Sequence, residues 1–205
     1  MPRRVLMTLV LAAVLSLGAA MAVILAARDD GQVAVGDTGY AGAFRPTSIP
    51  PTDFTGLRDQ DGRAVRLSEY QGKPVVVTFL YTTCEDTCPL TAQQIRGALD
   101  DLGQDVPVVA ISVDPANDTP FRARKFMLEQ QMTGRMRFLL GPRAALQRQW
   151  EAYGIRPQKE DLEHTASLVI LDGQGRQRIG FPIDKLTPEG LAHDLRAMAS
   201  GPDRS

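Results

Sequence analysis

Only two cysteines and two histidines occur in this 205-residue sequence, and that scarcity excludes several chemistries. Two thiols cannot supply the four sulfur ligands of an all-cysteine iron–sulfur cluster or of a four-cysteine structural zinc site. Charge of one sign is lacking too: 23 Lys and Arg stand against 24 Asp and Glu, a formal net charge of −1. A balance of that kind carries no electrostatic footprint of a nucleic-acid binder. No internal repeat is present, which argues against a solenoid or propeller.

In one stretch charge is missing altogether. After Arg3 and Arg4, residues 5–27 carry none, and an apolar run of this length can cross a bilayer as a helix, whereas signal-peptide cores stop at about 7–15 residues. Residues 1–27 are therefore expected to be an N-terminal transmembrane anchor, with cleavage at the small-x-small stretch Ala20-Met21-Ala22 as the alternative. The two arginines favour a cytoplasmic N-terminus, so the rest of the chain is expected beyond a bacterial inner membrane, in the periplasm, where disulfides can form. Residues 28–52, rich in Gly, Asp, Thr and Pro, read as a flexible linker. Residues 53–200 suffice for one domain with its own core, and 201–205 form a tail.

Both cysteines lie together in that domain, at Cys84 and Cys88, directly after the apolar run Val75-Val76-Val77-Thr78-Phe79-Leu80-Tyr81. The run is β-branched and aromatic and reads as a strand covered on both faces. Beyond it Leu90, Ile95, Leu99 and Leu102 recur at helical spacing, so a helix is expected to begin near residues 87–89 and to stop at Gly103. Cys84 and Cys88 thus sit on a strand-to-helix turn. Exposed N–H groups and the dipole at a helix start stabilise negative charge and favour thiolate, the form that attacks disulfides and binds soft metals. Two unreactive core thiols are the bland alternative.

The following segments read as a parallel α/β layout. Residues 106–113 form a second buried strand, and strand–helix–strand at this length implies a right-handed parallel crossover. A helix capped by Asp118 or Thr119 is expected to run from Pro120 to about Gly134. Its Met127, with Met132 and Met136, reads as gap-filling core rather than as thioether ligands. Short strands at 138–140, 164–171 and 178–181 and helices at 144–153 and 188–198 complete the domain, with Trp150 buried. Residues 54–67 suggest a small hairpin turning at Asp61-Gly62.

His193, inside the last helix, reads as a solvated side chain. His164 stands at the start of an expected strand, beside Glu163 and Thr165. Parallel sheets gather their functional loops at one edge of the strands, which brings His164 into consideration as a partner of the cysteine turn. Two thiolates and one imidazole make a small soft site, for which copper suits better than zinc or a cluster.

Three separated motifs then carry a family resemblance: Phe79-Leu80-Tyr81-Thr82-Thr83-Cys84-Glu85-Asp86-Thr87-Cys88-Pro89, Ser112-Val113-Asp114-Pro115-Ala116-Asn117-Asp118-Thr119-Pro120, and His164-Thr165 ahead of Leu168-Val169-Ile170-Leu171-Asp172. In this order they resemble the SCO/SenC family of membrane-anchored copper proteins. The resemblance implies a thioredoxin-like α/β fold with a central mixed sheet flanked by helices, and copper held by Cys84, Cys88 and His164, as Cu(I) with Cu(II) as a second oxidation state. It also implies a metallochaperone role, with the copper-centre subunit of cytochrome c oxidase and other copper chaperones as partners. The sequence departs from the family's usual pattern at Glu85, Asn117 and Glu163. Glu85, beside Asp86, is expected to raise the cysteine pKa or to change which partner docks. A thiol–disulfide oxidoreductase, with Cys84 and Cys88 as its catalytic redox pair, is the alternative from another class, and a copper-dependent sensor or scaffold is a third.

Overall fold

The structure is a computed structural model that describes residues 7, 39–46, 48–104, 106–155 and 167–200. The chain divides into two compact units, Met1–Val33 and Ala34–Ser205. The expected anchor at 1–27, except Met7, lies outside the described residues, as do the first part of the expected linker, the tail and His164. Among the described residues no helix is long and apolar enough to cross a membrane.

The second unit is built on one sheet. In chain order its elements are β1 (Ala43–Phe44), β2 (Val75–Leu80), α1 (Thr87–Leu102), β3 (Val108–Ser112), α2 (Pro120–Glu129), β4 (Met136–Leu139), α3 (Arg143–Tyr153), β5 (Ser167–Leu171), β6 (Gln177–Pro182) and α4 (Pro188–Ser200). The strands lie in the order β1-β6-β5-β2-β3-β4. β2, β3 and β4 are parallel, through crossovers that carry α1 and α2, whereas β5 runs antiparallel to β2 and β6 antiparallel to β5. The sheet is mixed, as expected.

β2 occupies the middle because every one of its residues is buried. Strand side chains alternate between faces, so Val76 and Leu80 join a core with Ile95 and Leu99 of α1, Phe126 of α2 and Leu191 and Leu195 of α4. Val75, Val77 and Phe79 join a second core with Phe54, Leu57, Leu146 and Trp150. Met127, Met132 and Met136 are all buried in the first core, in line with the sequence reading. Gly103 ends α1 in a left-handed conformation with φ 65°, where a Cβ would cost ~1–2 kcal/mol.

Two expectations are corrected. α2 stops at Glu129, short of Gly134, because Gln131 turns to φ 57° and the Met132 N–H bonds back to the Met127 carbonyl at 2.7 Å. This buries Met132 beneath the helix end instead of extending the helix. The segment 28–52 is also not linker throughout: Ala43 and Phe44 pair with Gly180 and Ile179 of β6. The cause is partly a carboxylate. Asp194 of α4, fully buried, accepts the N–H of Ala41 and that of Gly42, each at 2.8 Å. Gly42 lies so close to Ile179 and Phe181 that a Cβ there would collide with both.

This strap, residues 41–44, is thus held by polar bonds that Ala at position 194 cannot replace. Hydrogen bonds to a charged acceptor contribute ~1.5–3 kcal/mol each, and their buried donors are costly to leave unpaired. Asp194→Ala is therefore expected to lower unfolding stability by ~3 kcal/mol, read as a lower urea midpoint at unchanged slope. A loss below about 1 kcal/mol would mean that β1 is held by strand pairing and packing alone.

Candidate functional site

The cysteine turn leaves the C-terminal end of β2 and enters α1 at Thr87. Asp86 occupies the position before the helix but makes no side-chain cap. Cys84 takes over that duty: its Sγ accepts the N–H of Cys88 at 3.2 Å, while its own N–H reaches the Tyr81 carbonyl at 3.4 Å. The turn therefore brings the two cysteines into direct contact. Both are free thiols, Cys84 half-buried and Cys88 1% exposed.

Their environments differ in consequence. The Cys88 thiol donates to Cys84, and with the Cys88 N–H, the Tyr81 hydroxyl and the Asp86 N–H it outweighs partial burial and lowers the Cys84 thiol to about 5. Cys88 goes the other way, raised by its bond to Cys84 and by burial. Tyr81 is raised, first by burial and then by its bond to Cys84. Glu85 was expected to raise the cysteine pKa; it is exposed and is not among the leading causes at Cys84, because donors in direct contact outweigh a solvated charge. The turn thus pairs a ready thiolate with a protected thiol.

The neighbouring loop, between β3 and α2, comes to the same edge through the parallel pairing that sets Leu80 opposite Ser112. Asp118 does not cap α2; Thr119 does, its hydroxyl accepting the Arg122 N–H at 3.2 Å. The Asp118 carboxylate instead reaches across. Its Oδ1 accepts the N–H and the hydroxyl of Thr82, at 2.7 and 2.6 Å, and its Oδ2 accepts the hydroxyl of Ser112. Burial raises the Asp118 carboxyl, against the lowering pull of those bonds. Asp114 stays local, accepting the Asn117 side-chain amide at 2.8 Å. Sequence reasoning missed the parts of Thr82 and Tyr81. The available signal was register: loops that follow two parallel neighbours meet at one edge, so an Asp in one can reach a Thr in the other.

Of the three expected ligands, the structure brings Cys84 and Cys88 together and His164 lies outside the described residues. The position of β5 bears on it nonetheless. Thr78 pairs with Leu168 in the antiparallel register, so β5 starts at the edge from which the cysteine turn departs. His193 is placed too, in α4, 2.9 Å from the Asp194 carboxylate. Among the described residues no three His, Cys, Asp or Glu side chains converge as a complete metal site. The sulfur pair suits a soft, low-coordinate ion, which needs few ligands.

The SCO1/SenC family model matches residues 49–200. The SCO1 protein homolog of Bacillus subtilis (strain 168) is 34% identical over 84 residues, covering 40% of this chain and 43% of that protein, so the chain spans less than half the length of this curated relative. Bradyrhizobium japonicum ScoI, solved with copper bound, aligns with a TM-score of 0.58 and 29% identity over 73% of this chain and 98% of that one. Apo Sco1 from Thermus thermophilus aligns with a TM-score of 0.66 and 27% identity over 77% and 96%. The mixed sheet and its flanking helices are the thioredoxin-like α/β arrangement shared with these structures.

Proposed function

The chain belongs to the SCO1/SenC family, and on that premise we propose that it binds copper at Cys84 and Cys88, with His164 as third ligand, and delivers it to the copper centre of cytochrome c oxidase during assembly. One observation carries the reading: a thiolate held against a second thiol at the start of a helix, half-open to solvent. Thiolates favour soft metals, Cu(I) among them, and a site with few ligands and one open side lets an incoming ligand displace an old one. His164 stands three residues before β5 in the sequence, and β5 starts at the cysteine edge. The copper-bound relative at 29% identity supports the choice of metal.

Copper is cargo in this reading, so transfer needs no turnover chemistry. Leu90 and Phe121, 51% and 70% exposed in the first turns of α1 and α2, offer an acceptor protein apolar contact close to the ion. Residues 1–27 anchor the chain in an inner membrane and keep the domain in the periplasm, where such an acceptor would be met.

The test is an anaerobic Cu(I) titration of the reduced protein against a competing chelator. One tight copper per chain is expected, lost in Cys84→Ser and in Cys88→Ser and weakened in His164→Ala. Binding must displace the proton from Cys88, whose pKa is raised, so affinity is expected to rise with pH from 6 to 8, by up to about tenfold per unit. A pH-independent affinity, or one indifferent to Cys88→Ser, would remove Cys88 from the ligand set.

A second reading rests on the asymmetry of the pair. A depressed Cys84 and a raised, buried Cys88 match the division of labour in a thiol–disulfide oxidoreductase, where one cysteine attacks and the other resolves the mixed disulfide. That activity requires both cysteines and no His164. Reduction of a disulfide in the oxidase copper-site subunit, undiminished in His164→Ala, would favour it.

A further inference from the structure

Thr82 lies two residues before Cys84, and the polar bonds its side chain makes go to an element other than its own loop. Its hydroxyl and its N–H both end on Asp118 Oδ1, at 2.6 and 2.7 Å. Asp118, 9% exposed, uses its other oxygen on the Ser112 hydroxyl at the end of β3. Ser112 is itself held from the opposite face of the sheet, where the Trp150 indole N–H donates to its carbonyl at 2.9 Å. At the same point the Val113 N–H bonds the Leu80 carbonyl at 3.1 Å. A continuous chain of bonds thus runs from α3 through β3 and Asp118 to the residue that starts the cysteine turn.

We propose that Asp118 is a positioning residue for the cysteine pair: by gripping Thr82 it fixes the turn that places Cys84 against Cys88, and so sets how readily the two sulfurs act together. The consequence concerns effective concentration. Two groups held at contact distance react, or bind one ion, as if each were far more concentrated than a flexible loop would allow. The proposal deepens the copper and thiol readings above and rests on the same two sulfurs, yet it predicts an effect in the metal-free protein.

The test uses the full chain equilibrated with glutathione buffers. Cys84, a thiolate at neutral pH, and Cys88 lose two electrons and the Cys88 proton to form a disulfide, as one glutathione disulfide takes the two electrons and, with a second proton from solvent, becomes two thiols. Asp118→Ala is expected to shift this equilibrium at least tenfold toward the dithiol, measured well below its melting temperature with native circular dichroism. Thr82→Val, nearly isosteric, is expected to shift it at least threefold in the same direction, and Thr82→Ser, which restores the hydroxyl, to return it to within twofold of the parent. A general loss of stability would not reproduce this order in folded protein. An unchanged equilibrium in Asp118→Ala overturns the proposal. If Asp118→Ala fails to fold, the Thr82→Val and Thr82→Ser pair decides alone: equal values overturn it. Cu(I) affinity, measured in parallel, is expected to fall at least tenfold in Asp118→Ala. Should the parent chain bind no copper, the copper reading fails while the disulfide equilibrium still judges Asp118.

Discussion

Iodoacetamide is expected to label the reduced, metal-free protein at Cys84 with a midpoint near pH 5, and at pH 7 to modify Cys84 at least a hundredfold faster than Cys88. The reason is the paired geometry. Cys84 collects the Cys88 thiol, two backbone N–H groups and the Tyr81 hydroxyl, which together lower it to about 5. An ordinary cysteine, near 8.5, is only a few per cent thiolate at neutral pH. Cys88 is raised and 1% exposed, so the reagent meets neither its thiolate nor its sulfur. Because the Cys88 thiol is the leading cause at Cys84, Cys88→Ser is expected to move the Cys84 midpoint upward by less than outright removal of the donor would, since a serine hydroxyl still donates. Cys88→Ala should move it further. Peptide mass spectrometry across pH 4–9 reads both midpoints, and a midpoint above pH 7 in the parent would show that the turn does not favour thiolate.

The same shift has a sign for stability. The folded Cys84 pKa lies below the unfolded value near 8.5. The thiolate's contribution is therefore fully present above about pH 8.5 and is lost as pH falls toward 5. Over that window the reduced protein is expected to lose stability with acid, and Cys84→Ser to flatten the dependence. Because Cys84 is half-exposed, solvent screening keeps this contribution small beside core packing.

Trp150→Ala is expected to cost ~3–5 kcal/mol of unfolding stability. Trp150, 3% exposed, packs in the second core with Phe79, Val109, Ile111 and Leu146, and its removal leaves a void among side chains fixed by the sheet. The same substitution strips the Ser112 carbonyl of its indole donor. Trp150→Phe separates the two effects, since it keeps most of the apolar volume and is expected to cost only about 1–2 kcal/mol, the hydrogen-bond share. Trp150 is the sole tryptophan, so its fluorescence vanishes with it and far-UV circular dichroism must follow the urea transitions. A loss below about 2 kcal/mol for Trp150→Ala would mean that the second core collapses to fill the gap.

The elements built on local signals were legible from the sequence. β2 is legible, with Tyr81 as one residue too many at its end, because a β-branched run between Gly72-Lys73-Pro74 and a polar turn has few other uses. α1 followed from helical periodicity closed by Gly103, and α3 from periodicity closed by Gly154, both left-handed as such stops require. The parallel β2–β3 crossover followed from element order alone. Cys84 and Cys88 were legible as a pair because chain spacing constrains two residues four apart. β1 was not, since a two-residue strand with a glycine-rich approach resembles linker until a buried carboxylate from α4, far along the chain, is placed beside it.

By itself, then, the sequence determined the strands other than β1, the helices apart from the end of α2, the site of the cysteine turn and the motifs that mark its family, because each depends on residues within one or two turns of one another. Only the tertiary structure decided the unequal state of the two thiols, the bond from Asp118 to Thr82 and the capture of the strap by Asp194. Those depend on burial and on donor distances between segments far apart in the chain. Both quantities change steeply over an ångström, and neither is encoded in spacing along the polymer.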